Sequence, residues 1–220
     1  MTRAIVFVNG LISDYAELKK LLQPGDLLIG ADGGARHAQA IGYLPHIVVG
    51  DMDSLTAEDI AQFEARGVVL ERHKPEKDQT DLELAIVRAI AEGATEIMLV
   101  GALGNRLDQT IANLLLLAQR NWPAAICVVD GTQIARVMRD GQTITIDGAP
   151  GDVVSIIPLS PLVRGITYRG LTYPLENATL LFGSTRGISN ELAVATATIS
   201  VAEGLLLVTH IRYYTEQGHR

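Results

Sequence analysis

The chain lacks most signatures that tie a sequence to a function at sight. One cysteine in 220 residues leaves no disulfide within the chain. That residue, Cys127, sits in the apolar run Ala125-Ile126-Cys127-Val128-Val129, the setting of a buried, inert thiol rather than a nucleophile. Neither GxxxxGK followed by Ser or Thr nor GxGxxG occurs, which counts against Walker-type NTPases and Rossmann dehydrogenases. No Lys/Arg cluster is present, and the formal charge of −7 argues against a general nucleic-acid binder. No stretch approaches the roughly 18 apolar residues of a membrane helix. The chain enters the strand-like run Ala4–Val8 at once, with no room for a signal peptide, so the expectation is a cytoplasmic protein.

What remains is the composition of an ordinary globular protein, 48% apolar and 20% charged, long enough for one large domain or two small ones. Up to about Gly131, short apolar runs alternate with helical patterns. Strands are expected over Ala4–Val8, Leu27–Ala31, Ile47–Gly50, Val68–Glu71, Glu96–Gly101 and Ala125–Val129, and helices over Tyr15–Leu22, Ala35–Ile41, Ala57–Arg66, Leu82–Glu92 and Gln109–Arg120. Thr80 with Glu83 makes a capping box ahead of the Leu82 helix, and Asp14 with Glu17 and Thr56 with Asp59 give similar start signals. This alternation predicts an α/β domain, a doubly wound, mostly parallel sheet with helices on both faces. Beyond residue 131 the runs Gln133–Met138, Gln142–Ile146, Val153–Pro158, Gly165–Tyr168, Ala178–Phe182, Leu192–Ser200 and Gly204–Ile211 are strand-like and separated by turn signals. They predict a C-terminal all-β, sandwich-like domain, so the expected division is 1–131 and 132–220.

Five aspartates fall where these strands end or a helix begins. Asp32 follows Leu27–Ala31 and leads into Gly33-Gly34. Asp51 and Asp53 follow Ile47–Gly50 in GDMDS, and Asp78 and Asp81 lie in KDQTDLE. Open α/β sheets bind ligands beyond the carboxyl ends of their strands, so these acids can converge. Without a P-loop, they suggest phosphates handled through carboxylate-held Mg²⁺, which takes one or two carboxylates and completes its octahedron with water and phosphate oxygens. Asp51 and Asp53 are i and i+2; on an extended strand they would share a face, and in a loop both could reach one ion. Asp51 taken alone could equally cap, with Ser54, the turn into the Ala57 helix; three acidic segments at three such junctions favour a site. GALGNRLDQT (Gly101–Thr110) repeats the layout of strand, glycine-bearing loop, charged pair and helix. The amides of Gly104 and Asn105, with Arg106, could take phosphate or adenine-side contacts, while Asp108 alone could be only the N-cap of the following helix.

These residues resemble the thiamine pyrophosphokinase (thiamine diphosphokinase) family. The resemblance rests on ADGGA at 31–35, GDMDS at 50–54, KDQTD at 77–81, the block at 101–109 and GISNE at 187–191, in order over nearly the whole chain. Any one motif is weak and the ordered set is specific. The resemblance implies transfer of a diphosphate from ATP to the hydroxyethyl group of thiamine, with Mg²⁺, releasing AMP. It implies that Asp32, Asp51, Asp53 and Asp81 surround the metal and phosphates, with Asp51, Asp53 and Asp81 as metal ligands and Gly33 and Gly34 beside the ATP. Arg106 and Asp108, with Asn105, match a second nucleotide-side motif, and Ser189 and Asn190 a stretch associated with thiamine. A homodimer with the thiamine site at the subunit interface is implied as well.

Many relatives read GGRxDH where this chain has Gly104-Asn105-Arg106-Leu107-Asp108-Gln109, so no histidine can act at position 109. Trp122, the sole tryptophan, precedes Pro123 in a connection and is a poor stacking candidate; Tyr168 and Tyr173 are alternatives whose simpler role is packing. The implied chemistry is an in-line attack on the β-phosphorus, with Asp78 and Asp81 as candidate proton acceptors. Two other readings stay open: a diphosphotransferase for another small heterocyclic alcohol, separated by substrate competition, and a catalytically silent thiamine- or nucleotide-binding module, separated by formation of AMP.

Overall fold

The structure, a computed structural model, describes residues 2–104 and 106–213. The chain folds into two compact units, Met1–Gly131 and Thr132–Arg220.

The first unit runs β1 (Thr2–Phe7), α1 (Tyr15–Leu21), β2 (Leu27–Ala31), a 3₁₀ turn (Asp32–Gly34), α2 (Ala35–Ala40), β3 (Ile47–Gly50), α3 (Ala57–Ala65), β4 (Val69–Arg72), α4 (Asp81–Ala91), β5 (Ala94–Val100), α5 (Leu107–Leu116) and β6 (Ala125–Asp130). Its strands lie in the order β6-β5-β1-β2-β3-β4, all parallel. Strand order runs outward from β1 in both directions, so the chain reverses its winding at α4. With right-handed crossovers that reversal puts α4 and α5 on the face opposite α1–α3, and α4 accordingly packs across β1, β2, β3 and β5. Covered on both faces, β1 and β3 are apolar without alternation: Ala4–Phe7 and Ile47–Gly50 are buried throughout. Burying side chains such as Phe7, Ile29, Ile97 and Leu99 stabilises by about 1.5–3 kcal/mol each. The order also creates a switch point between β1 and β5, at the carboxyl edge where ligands of such sheets bind.

Capping differs from expectation. Thr56 and Asp59 form the reciprocal box at α3. At α4 only half a box exists: Thr80 Oγ1 accepts the Glu83 N–H at 3.2 Å, while the Glu83 carboxylate is drawn to Gln119 at 3.3 Å and Arg120 at 3.8 Å. Helix α5 starts at Leu107, two residues early, and ends at Leu116, four residues short of the expected Arg120.

The second unit contains β7 (Gln133–Met138), β8 (Thr143–Asp147), β9 (Val153–Pro158), β10 (Leu162–Arg169), β11 (Ala178–Leu181), β12 (Asn190–Glu191), β13 (Thr196–Ser200) and β14 (Leu206–Ile211). Antiparallel pairs join β12, β9, β14 and β7 in one sheet and β11, β10, β13 and β8 in another. Met138, Val154, Ile156, Leu206 and Val208 of the first sheet share one core with Ile146, Val163, Ile166 and Ile199 of the second, which makes the unit a sandwich. The strand expected over Leu192–Ser200 is shorter, Thr196–Ser200, and a separate two-residue strand precedes the expected range. Asn190–Glu191 pair with β9, the chain bends, and Thr196–Ser200 join the other sheet, because consecutive stretches serve opposite layers.

One buried ionisable group stitches this unit. Asp152 Oδ2 accepts from Ala149 N–H at 3.0 Å and lies 3.1 Å from His210 Nε2, while Oδ1 accepts the Tyr213 N–H at 3.0 Å. Burial alone would raise its pKa, but those hydrogen bonds and His210 hold it below the usual carboxylate range. A lowered folded-state pKa means stability present above the unfolded value and lost as pH falls through the folded one. Asp152→Asn is therefore expected to cost about 1.5–3 kcal/mol in denaturant unfolding at neutral pH, with the gap from wild type closing as the solution is acidified through the carboxylate range. A gap that stays constant with pH would show that the carboxylate charge contributes nothing.

Candidate active site

The carboxyl edge of the parallel sheet collects most of the acids singled out in the sequence. Asp32, at the end of β2, adopts φ 47° and is 7% exposed. Its 3₁₀ turn passes so close to β1 that a Cβ on Gly34 would stand 2.1 Å from the Phe7 carbonyl oxygen; only glycine fits there. At the end of β3, Gly50 has φ 153°, and a Cβ on it would stand 3.0 Å from Asp32 Cβ and 3.1 Å from Asp81 Cγ. Gly50 is thus the spacer that lets Asp32 and Asp81 approach from two sides.

Asp51 and Asp53 do share a direction, for a reason other than strand alternation. Met52 between them is left-handed (φ 67°) and buried with Ala35, Val48, Leu55, Phe63 and Val68. Driving Met52 into the core turns both flanking carboxylates outward, and Asp51 Oδ1 accepts the Asp53 N–H at 3.1 Å. Neither caps α3, whose N-cap is Thr56. Arg36 donates to the Ser54 carbonyl at 2.5 Å, tying the turn to α2.

Asp32, Asp51 and Asp53 each offer a carboxylate oxygen within 4.8 Å of the others. Asp81 stands beside Gly50 on the first turn of α4, with Lys77 Nζ 2.7 Å from its Oδ1. Burial raises the Asp81 pKa, Lys77 lowers it, and the charges of Asp51 and Asp32 raise it further; the net shift is upward. Asp32 Oδ1 and Asp81 Oδ1 are buried without a hydrogen bond, although Lys77 makes an ion pair with the second. Buried carboxylate oxygens are costly unless paired. An acid set with such oxygens fits a hard divalent cation, whose ligands are oxygens of this kind. Asp78 is exposed ahead of α4 and is not part of the three-acid group.

Arg106 and Asp108 pair with each other at 2.5 Å, both 66% exposed. The pairing raises the Arg106 pKa and lowers that of Asp108. Asp108 is not an N-cap: Arg106 holds that position without a side-chain cap, and Asp108 sits in the first turn. Asn105 lies outside the described residues. In the second unit, Ser189 is left-handed (φ 59°) and donates its N–H to Ser155 Oγ at 3.0 Å. Asn190 is buried, with its amide bonded to the backbone of Tyr173. Tyr168 is a core residue, whose burial pushes its hydroxyl well above its usual range, whereas Tyr173 is 64% exposed.

Sequence reasoning passed over Asn9 and Lys77. The Asn9 side chain lies against Gly33, within 2.8 Å of where a Cβ would stand, and the adjoining loop is strapped to β5 by Gly10 N–H to Gly101 O (2.8 Å) and Leu11 N–H to Leu103 O (3.0 Å). The signal existed, since Asn9 follows β1 at the same sheet edge, but an isolated Asn-Gly reads first as a turn.

Fold and acid cluster together define an α/β protein that gathers carboxylates at its sheet edge, with no phosphate-binding glycine loop. Family models narrow this. The thiamin pyrophosphokinase catalytic domain matches residues 18–128, and the thiamin pyrophosphokinase vitamin B1 binding domain matches 141–206. A thiamine pyrophosphokinase of Bacillus subtilis is 32% identical over 183 residues, covering 83% of this chain and 86% of its own. Among solved structures, thiamine pyrophosphokinase from Bacillus subtilis superposes with TM-score 0.85 at 29% identity, covering 96% of this chain and 99% of its own. That from Geobacillus thermodenitrificans gives 0.83 at 32% identity, covering 98% and 99%. The chain belongs to the thiamine pyrophosphokinase family, a family of diphosphotransferases.

The tight turn at Gly34 gives a direct check. Gly34→Ala forces a Cβ into the Phe7 carbonyl and should lower unfolding free energy by about 1–3 kcal/mol, the usual range for overpacking. Unchanged denaturant stability would mean that the turn can shift away from β1.

Proposed function

We propose that this protein transfers the diphosphate of ATP to the hydroxyl of thiamine, giving thiamine diphosphate and AMP. One observation carries the reading: three carboxylates within 4.8 Å at the sheet edge of a unit that matches the family's catalytic domain, followed by a unit that matches its vitamin B1 binding domain. In this reading Asp51, Asp53 and Asp81, with Asp32 alongside, would hold Mg²⁺, and the buried Asp32 oxygen without a hydrogen bond, beside the buried Asp81 oxygen that only Lys77 approaches, supports that fit. Bound there, the ion would neutralise phosphate charge that an acidic edge would otherwise repel.

The chain's own residues do the rest. Gly33 and Gly34 let the turn that carries Asp32 pack against Asn9 and the Phe7 carbonyl, which in this reading sets Asp32 beside the nucleotide. Arg106, on the loop after β5, exchanges its exposed partner Asp108 for a phosphate oxygen and adds positive charge, and Asn105, its neighbour in sequence, is assigned to the nucleotide with it. The hydroxyl oxygen of thiamine bonds to the β-phosphorus, the bond from that phosphorus to the oxygen bridging it to the α-phosphorus breaks, and AMP leaves with that oxygen. The hydroxyl proton passes to a carboxylate, and Asp78, outside the three-acid group, is the one in the KDQTD segment left free for it. Such transfer depends mostly on positioning and charge neutralisation. Ser189 and Asn190 belong to the thiamine side, where the exposed ring of Tyr173 offers a face for the substrate ring.

A homodimer with the thiamine site at the subunit interface belongs to the same reading. Exposed apolar side chains support it in each unit: Leu107, Ile111 and Leu115 along α5, and Leu181, Phe182 and Ile188 in the second unit. Among the described residues no helix is long and apolar enough to cross a membrane, and the reading places the enzyme in the cytoplasm.

Incubation with ATP, Mg²⁺ and thiamine should yield AMP and thiamine diphosphate in equal amounts, followed by chromatography, and only with all three present. AMP without thiamine diphosphate would sink the reading. Mg²⁺ alone at about 100 times its dissociation constant should stabilise the protein by about 2.7 kcal/mol, and Asp51→Asn should abolish that shift. Asp81→Asn should cut turnover at least about 100-fold, equivalent to some 2.7 kcal/mol of barrier, while leaving the melting temperature within a few degrees. Near-normal turnover would remove Asp81 from the site.

A further inference from the structure

The Asn190 side chain is committed before any ligand arrives. Its Oδ1 accepts the N–H groups of Tyr173 and Glu191, both at 2.9 Å, and its Nδ2 donates to the Tyr173 carbonyl at 2.7 Å. A primary amide offers two donors and an acceptor with two lone pairs, so three of the four positions are taken, and the residue is 6% exposed. Backbone bonds join the same two segments: Thr172 N–H to Glu191 O and Ala193 N–H to Gly170 O, each 2.9 Å, around the Leu171–Leu192 bridge. The clamp itself is anchored. Asn190 pairs with Val154 of β9, and its neighbour Ser189 is held to Ser155 Oγ. What the clamp presents is an aromatic ring in solvent, Tyr173, gripped at both polar groups of its backbone.

We propose that Asn190 is a positioning residue: its amide fixes the backbone of Tyr173, and so the direction in which the Tyr173 ring meets the heteroaromatic ring of the substrate, without touching that substrate. This rests on the thiamine reading above and deepens it. The physical cause is preorganisation. An aromatic ring on a free loop must be ordered at the moment of binding, whereas one whose N–H and C=O are already bonded has lost that freedom in advance. The placement separates two roles, since the GISNE asparagine faces inward and the ring that stands out lies 17 residues earlier in the sequence.

The test is a double-variant cycle on Asn190→Ala and Tyr173→Ala in the full-length protein, read by thiamine titration calorimetry and by steady-state kinetics. Each single change is expected to raise the thiamine Kd and KM about tenfold or more, the usual loss on removing a stacking ring. The KM for ATP should stay put and kcat should change little. The double variant should be no worse than the worse single, because Asn190 acts through Tyr173. Asn190→Asp keeps the acceptor and loses the donor to Tyr173 O, so it should fall between wild type and Asn190→Ala; if Asn190→Ala does not fold, Asn190→Asp takes its place in the cycle. Multiplying effects in the double variant, or an unchanged thiamine affinity in a folded Asn190 variant, would overturn the proposal. Binding without turnover in the wild type would defeat the catalytic reading and leave the cycle readable by calorimetry. No thiamine binding in the wild type would end both.

Discussion

Mutual repulsion among carboxylates is the constraint around which the first unit is organised. Asp32, Asp51 and Asp53 bring oxygens within 4.8 Å of one another, and Asp81 adds a fourth acid behind Gly50. Unit charges about 4 Å apart interact by about 1 kcal/mol in water and about 4 kcal/mol near a protein surface. Left to themselves these side chains would separate. They stay because each is fastened to packed structure: the buried interior strands β2 and β3, the Met52 side chain in the core, and the capped first turn of α4. Lys77 offsets part of the charge at Asp81 alone. Acids gathered in this way destabilise the fold wherever no positive charge offsets them.

The same constraint accounts for where the backbone is strained. Asp32, Met52, Asn177 and Ser189 are the non-glycine residues with positive φ among those described. Such conformations cost of order 1–3 kcal/mol each and persist when the surroundings over-determine them. Three of the four fall in ADGGA, GDMDS and GISNE. At Asp32 and Met52 the reversed backbone aims carboxylates off the sheet edge; at Ser189 it delivers Asn190 inward to the Tyr173 segment. Strain therefore coincides with the motifs, and it does so in both units.

Much of this was legible in the residues. All six strands and five helices of the first unit follow from apolar runs and start signals, because a parallel sheet covered on both faces leaves no polar alternation to confuse the reading. Convergence of Asp32, Asp51 and Asp53 followed from the carboxyl-edge rule alone. The details that failed are those decided by partners distant in sequence. Glu83 looks like a capping residue until Gln119 and Arg120 compete for it. The run Leu192–Ser200 reads as one strand, yet the strand is Thr196–Ser200, because Asn190–Glu191 just before the run pair into the opposite layer. Of the two arrangements open for Asp51 and Asp53, a strand face or a loop, the structure has the loop, because Met52 turns left-handed into the core. Asn190, matched to thiamine by motif, has its amide turned to the backbone of Tyr173, which no spacing rule could reveal.

The two kinds of charge at the sheet edge are held in opposite ways, and that difference has a consequence for how a nucleotide would be met. The acids range from buried Asp32 to exposed Asp53 on backbone anchored by the sheet and the Met52 core, so their repulsion is built in. Arg106 is the reverse: exposed, on the loop after β5, and paired only with Asp108 two residues along the same helix start. An ion pair open to water at both ends contributes little and is screened by salt, so exchanging Asp108 for a phosphate oxygen costs little. The acids sit on the turns that leave β2 and β3 and on the first turn of α4, whereas Arg106 stands on the loop beside the switch point. A parallel sheet supplies both at one edge, because its strands end there together while its loops remain free to differ.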